Sequence, residues 1–311
     1  MMDKQRKVKV NNRRRKELIF YSALIALPFL HYLIFYVLVN INSILLAFKQ
    51  YTLVNGREYF TFAGFSNFAQ FFRTFGEGVK YKIMLRNSLL FYCVGLFIIT
   101  PLSLIFSYYI FKKFFASEFF RVILFLPAMI SAVVTAFMYT FLMDEGLVNL
   151  LNKFGFTVSA ISMQASTRIL FLVIYSLLMG FGSNIIILSN AMSGIDTSVL
   201  EYAQIDGVGF FREFTSIVVP LIFDTISTLL IIGVTGIFTN QAGIYVLYGS
   251  ASALEEIHTF GFHLFILTLG STSSVNYPYA SALGLIFTII LVPITFIVRW
   301  ALNKINPNEQ H

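Results

Sequence analysis

The stretch EYAQIDGVGFFREFTSIVVPLI (201–222) carries Glu201, Asp206, Arg212 and Glu213, with Gly207 at its middle and Pro220 near its end. The chain around it is 57% hydrophobic. Charged groups are expensive in hydrocarbon and mark function where they occur there. They could serve an ion relay inside a membrane, or a contact with something outside it. A relay needs ionisable groups deep in the apolar runs. His31 lies within one such run and reads as a hydrogen-bonded packing residue. Asp224 lies one turn past Pro220, where it can reach water or Arg212. No second buried carboxylate or basic partner accompanies either, so an ion-coupled carrier has little to work with, though that alternative stays open.

Catalytic chemistry has less support. Neither His-Glu-x-x-His nor Gly-x-Ser-x-Gly occurs, the arrangements that hold a catalytic zinc or a nucleophilic serine. His258 and His263 are five residues apart with no further clear ligands, a poor spacing for a metal. The phosphate cradle Gly-x4-Gly-Lys-Ser/Thr is also absent, so ATP-driven transport requires a separate ATPase subunit. The charged insert is therefore predicted to be gripped from outside the membrane.

A set of apolar helices must position it. Mean hydropathy is +0.78 over 311 residues, too high for a soluble domain. A bilayer core demands runs of about 20 apolar residues. Apolar length and breaker residues predict six, over about 18–40, 87–111, 120–142, 168–190, 219–239 and 279–302. A basic segment, 1–17, precedes this transmembrane region, 18–302, and a short tail, 303–311, follows it. The first run exceeds the ~7–15 residues of a signal-peptide core and has no small-residue cleavage site after it, so it reads as a retained span. Between the first two runs, Asn55-Gly56 has turn chemistry, and FAGFSNFAQFF (62–72) reads as a short amphipathic element lying on a surface. The lone Cys93 permits no internal disulfide and reads as a small core or lipid-facing residue.

Charge sets the orientation. Eight of the 22 basic residues precede the first run, and beside a membrane segment they read as a cytoplasmic anchor rather than a nucleic-acid site. With that end inside, fourteen basic residues fall on the cytoplasmic side and eight on the outer side. The bias predicts both termini inside. Lys80, Lys82 and Arg86 resist it, because they crowd the outer end of the second run. On this map, 201–222 is a cytoplasmic loop between the fourth and fifth runs.

Within the loop, Ser198 and Glu201 have capping-box spacing, which predicts a helix start there. The helix runs to about Asp206, and Gly207 supplies the left-handed backbone that ends it. A second short helix follows, with Phe210, Phe214 and Ile217 on one face and Arg212, Glu213 and Ser216 off it. Pro220 suits the first turn of the fifth span.

These residues carry a resemblance. Glu201, Ala203, Gly207, Ile217 and Pro220, with Asp206 just before the glycine, resemble the EAA loop of permease subunits in binding-protein-dependent ABC importers. The usual form is E-A-A-x3-G-x9-I-x-L-P; here Tyr202 replaces the first alanine and Val219 the leucine. LPFL (27–30), FAGFSNF (62–68), RNSLLF (86–91) and LPAMIS (126–131) are each weak, and together resemble the sugar-transporting branch that holds the maltose permease subunit. The resemblance covers about 18–302. It implies a type I importer permease: an all-α integral membrane protein with six transmembrane helices and a coupling loop at 194–219. That loop would dock on an ATPase through Glu201, Ala203, Asp206, Gly207, Ile217 and Pro220. The implied partners are a second, similar permease, two ATPase subunits that hold ATP and Mg, an extracytoplasmic binding protein and a sugar. No cofactor is implied in this chain, and the implied location is a bacterial cell membrane.

Two polar stripes flank the loop. Ser176, Gly180 and Ser183 recur at i, i+4 and i+7 in the fourth run, with Met179 and Asn184 beside them. Gly233, Gly236, Ile237 and Asn240 form a comparable stripe in the fifth. Close helix packing explains both. The resemblance implies instead that they face a sugar near mid-membrane, with the Asn240 amide bonding hydroxyls and Gly180 leaving room for a ring. Most of the side chains that would grip maltose are missing. Tyr175, Phe238, Tyr245 and Tyr248 offer stacking faces, although aromatics near membrane boundaries usually anchor.

Overall fold

A computed structural model describes residues 2–54, 57–249, 255–269 and 276–307. The Asn55-Gly56 turn and the end of the tail lie outside the described residues, as do the side chains of the basic residues before Arg15. Contacts divide the chain into two units, residues 1–68 with 277–285, and 69–276 with 286–311.

In the first unit a helix begins at Met2, and no residue of its apolar part, α1 (Arg15–Leu46), is buried. A helix that is apolar all round belongs in lipid or against another chain. His31 is exposed on it and lies beside the Phe35 ring, with centroids 4.8 Å apart. A hairpin then departs from the helical expectation. Strand β1 (Lys49–Val54) pairs antiparallel with β2 (Arg57–Phe62), Val54 opposite Arg57. Tyr, Thr, Val and Phe favour such a pleated surface. The amphipathic element expected over 62–72 therefore starts later, as α2 (Ser66–Glu77). Buried Asn67 donates to the carbonyls of Ala47 (2.8 Å) and Lys49 (2.7 Å), which ties the start of α2 to the end of α1 and to β1.

The second unit contains α3 (Val79–Phe111), α4 (Ser117–Met129), α5 (Ala132–Lys153) and α6 (Arg168–Ser193). The loop helices α7 (Thr197–Ile205) and α8 (Phe210–Leu221) follow, then α9 (Phe223–Gly236), α10 (Ile244–Tyr248) and α11 (Phe260–Leu269). Helix α12 (Tyr277–Ile305) ends the fold. Five of the described helices are long and apolar enough to cross a membrane, and α8 with α9 make a sixth candidate, bent by 70°.

Two expected runs are interrupted. Residues 120–142 belong to α4 and α5, because Ile130 is extended (φ −81°, ψ 150°) three residues after Pro127. Proline removes a ladder hydrogen bond and weakens the helix around it. The run 219–239 breaks at Ile222 (φ −99°, ψ 13°), so α9 begins after Pro220 instead of at it.

Helix α3 carries a π-turn over Gly95–Ile99, just before Pro101. Pro101 has no N–H to give. Within the turn the Gly95 carbonyl accepts from the Thr100 backbone N–H and from its hydroxyl, the latter at 2.9 Å. Helices α4 and α6 approach closely at Gly182, where a Cβ would stand 2.7 Å from the Leu124 carbonyl oxygen. Small residues permit such approach between membrane helices. Between α4 and α6 the packing glycine is thus Gly182, outside the predicted stripe.

Candidate functional site

Helix α7 starts at Asp196, whose side chain accepts from the Ser198 N–H at 3.0 Å. That bond, with a second from the Ser198 side chain, holds the Asp196 carboxyl below its ordinary value. The expected capping box is therefore corrected: the cap lies two residues earlier, and Glu201 is an exposed mid-helix residue. Asp196 precedes the first turn and reaches its free N–H groups, which Ser198 inside that turn cannot. Asp196→Ala is accordingly expected to speed amide exchange over 198–202 more than Ser198→Ala does. Equal exchange in the two variants would return the cap to Ser198.

The other end of α7 follows the sequence closely. Asp206 is the C-cap and Gly207 has φ +70°. Val208 N–H bonds Ala203 O at 2.9 Å and Gly207 N–H bonds Gln204 O at 3.1 Å. This is the paired bonding of a Schellman ending, which needs a left-handed residue at that position. Ala203 is buried, while Glu201, Tyr202, Gln204, Ile205 and Asp206 are exposed, so α7 presents most of its surface outward. In α8, the Phe210 and Phe214 rings each lie 4.9 Å from the Tyr108 ring of α3. Ile217 and Pro220 are half-buried.

Glu213 was expected on the polar side of α8. It is instead 3% exposed. Its carboxylate accepts from Lys112 Nζ at 2.9 and 3.2 Å. Helical spacing places Glu213 correctly on α8, but only the approach of α3 brings Lys112 to it.

At the opposite end of α3 and α6, a second set of polar contacts gathers the segment after α10. Lys80 meets Glu255 at 2.8 Å and holds its carboxyl below the ordinary value. Arg168 pairs with Glu256. Asn87 and Ser88, from RNSLLF, bond the same segment: Asn87 Nδ2 donates to Glu256 O (2.8 Å) and His258 O (3.0 Å), and Ser88 Oγ accepts from Phe260 N–H (3.1 Å). Lys80, which opposed the charge bias, thus has an acidic neighbour.

Between these ends, α3, α6 and α9 line a half-open cavity of about 330 Å³. Six of the eight predicted stripe residues line it: Gly180, Ser183, Gly233, Gly236, Ile237 and Asn240, joined by Asn184. A Cβ at Gly236 would meet nothing within 4 Å, and one at Gly233 would meet only the Tyr92 ring, at 3.6 Å. These glycines face open space, not another backbone. Ser176 and Met179 do not line the cavity, and Met179 packs instead on the cluster of Tyr139, Phe171 and Tyr175. The aromatic expectation is likewise corrected. Tyr175 and Tyr248 belong to that packed region, Phe238 stacks on Phe287 at 4.4 Å, and Tyr245 lies 4.5 Å from Phe265. None of the four lines the cavity.

The missing wall is α3. Ser88, Phe91, Tyr92, Gly95, Leu96, Ile99 and Thr100 complete the lining, and its π-turn lies there. Single-turn π insertions recur at functional sites. Thr100-Pro101, directly after the turn, was the readable signal. Asn240 has a further duty: its Oδ1 accepts from Ala242 N–H at 2.8 Å, at the turn where Ala242 and Gly243 both have positive φ. Its side-chain NH2 keeps two donors.

Apolar helices around a cavity that sets a few hydroxyls and amides among apolar side chains, with a charged loop joining two of its walls, define a multi-pass membrane transport subunit. The chain belongs to the family of binding-protein-dependent transport system inner membrane components, whose pattern matches residues 99–310. It is similar to Protein LplB of Bacillus subtilis (strain 168), 25% identical over 287 residues, covering 90% of this chain and 88% of that protein. It is also similar to the sn-glycerol-3-phosphate transport system permease protein UgpA of Yersinia pestis bv. Antiqua (strain Antiqua). That identity is 29% over 181 residues, 57% of this chain and 59% of UgpA. The fold resembles that of a chain from a bacterial alginate ABC transporter, in complex with alginate pentasaccharide-bound periplasmic protein. The TM-score is 0.75 at 19% identity, over 94% of this chain and 96% of the other.

Proposed function

We propose that this chain, paired with a second and similar permease, forms the passage for a sugar or oligosaccharide delivered by an extracytoplasmic binding protein. Residues 194–219 engage one of two separate ATPase subunits, which hold ATP and Mg. Both termini lie on the cytoplasmic side of a bacterial cell membrane. The observation that carries this reading is the cavity. Its walls are the helices on either side of the loop together with α3. Its lining is mostly apolar (Phe91, Leu96, Ile99, Leu229, Leu230 and Ile232 among others), set with hydroxyls, two amides and the Tyr92 ring and with no charged side chain. Such a lining suits a neutral polyhydroxylated solute, since a buried anion needs a charged or multiply donating partner. The alginate transporter imports an acidic polysaccharide and UgpA is named for sn-glycerol 3-phosphate. Both solutes present hydroxyls but are anionic, so they support a hydroxylated solute, and its neutrality rests on the uncharged lining alone.

Uptake into proteoliposomes holding the whole complex tests the substrate class, with a panel of neutral sugars set against sn-glycerol 3-phosphate. Sugar uptake is expected. Uptake of the phosphate alone would replace the sugar reading with an anionic one. Orientation has its own test. With Cys93 replaced, a single cysteine at exposed Gln204 is expected to stay protected from an impermeant thiol reagent in intact cells, while one at exposed Ser159 reacts. Labelling at position 204 from outside would invert the topology.

A further inference from the structure

We propose that Lys112 and Glu213 form a latch that fastens the loop to α3, so that a displacement of the loop moves the α3 wall of the cavity together with α9. The proposal rests on the reading of the loop as the ATPase contact. The loop is covalently joined to two walls of the cavity, directly to α6 and, through α8 and the break at Ile222, to α9, but not to the third wall, α3. A 70° bend at a broken helix is a place where one element can swing without the other. Moved through that joint alone, α9 would shift and α3 would stay behind.

The ion pair supplies the second route. Lys112 is the C-cap of α3, where a cation is favoured by the exposed carbonyls. Its ammonium reaches both oxygens of Glu213 in the first turn of α8. On the same turn, Tyr108 lies between Phe210 and Phe214, and its hydroxyl donates to Phe210 O at 3.5 Å. Charges and rings therefore clamp the start of α8 to the end of α3. Further along α3, the π-turn at Gly95–Ile99 lines the cavity and gives that helix a point at which to yield. Apolar residues of similar size would fill a buried site at least as stably as an ion pair, so stability alone does not account for charge here. A directional tie between two elements does. Both residues act through the helices they join, as positioning residues.

The test uses the complete reconstituted complex and measures two quantities: solute imported per ATP hydrolysed, and the stimulation of ATP hydrolysis by loaded binding protein. The variants are Lys112→Arg, Lys112→Met and the double Lys112→Met/Glu213→Met, the last leaving no unpaired charge. Lys112→Arg is expected to keep wild-type values. The double variant is expected to assemble and to keep stimulation, yet to import at least about five-fold less solute per ATP, the low end of ordinary coupling between sites. Lys112→Met, which leaves Glu213 buried without its partner, is expected to lose that import and stability as well. A wild-type import ratio in the double variant overturns the latch. Failure of the double variant to assemble overturns it as well, because the pair then serves folding. A loss in Lys112→Arg equal to that in Lys112→Met does the same, since the pairing charge was kept. Gly207→Pro in the same assay separates the two ideas. If that variant loses stimulation while the double variant imports normally, the latch falls and the loop reading stands. If it keeps stimulation, the loop reading falls.

Discussion

Gly207→Pro is expected to leave the chain in the membrane and to abolish the response of ATP hydrolysis to loaded binding protein. Gly207 holds φ +70° and gives its N–H to Gln204. Proline is fixed near φ −65° and has no N–H, so both requirements fail together. Nothing stands within 4 Å of a Cβ at this position, so the substitution strains backbone without pushing on a neighbour. Helix α7 then ends differently, and α8 must leave it at another angle. Gly207→Ala provides a graded control, because a left-handed alanine costs on the order of 1–3 kcal/mol and keeps the N–H. It should reduce the response partially. Glu201→Ala, once the cap is assigned to Asp196, should leave the helix in place and act only through an outside partner. Co-purification of the ATPases and substrate-stimulated hydrolysis in the reconstituted complex are the measurements. A wild-type response from Gly207→Pro would mean that this loop does not carry the coupling.

The second large effect is expected at Gly236. Leucine there projects into the cavity, and because a Cβ meets nothing within 4 Å, the helices need not move to admit it. Assembly and thermal stability should persist while uptake falls about ten-fold or more, a barrier higher by about 1.4 kcal/mol. Gly180→Leu is a less clean block, since its Cβ would already lie 3.1 Å from Ile99 Cδ1 in the π-turn. It should lower both uptake and stability. Normal uptake by Gly236→Leu would place the solute elsewhere in the complex. Asn240→Ala is harder to interpret than either, because it also removes the bond that holds the turn at Ala242.

Much of this was written in local spacing. Apolar length placed the long helices α1, α3, α6 and α12, because a span needs only enough consecutive apolar residues. Period 3.6 set Gly180 and Ser183 on one face of α6, and Gly233, Gly236 and Ile237 on one face of α9. Gly207 announced the end of α7, since few other residues accept a left-handed backbone. Each inference relies on residues a few positions apart, for which geometry is fixed by the backbone itself. What the sequence left open depended on elements distant along the chain. Spacing on α8 could not reveal that Glu213 would be buried, because Lys112 arrives from another helix. It could not tell Tyr92, which lines the cavity, from Tyr175, which packs against Tyr139. Nor could it show that Gly236 faces open space, that Gly180 lies against the Ile99 side chain, and that Gly182 meets a neighbouring backbone. Periodicity states which residues share a face; only the packing of one helix on another decides whether that face meets a side chain, a charge or a cavity.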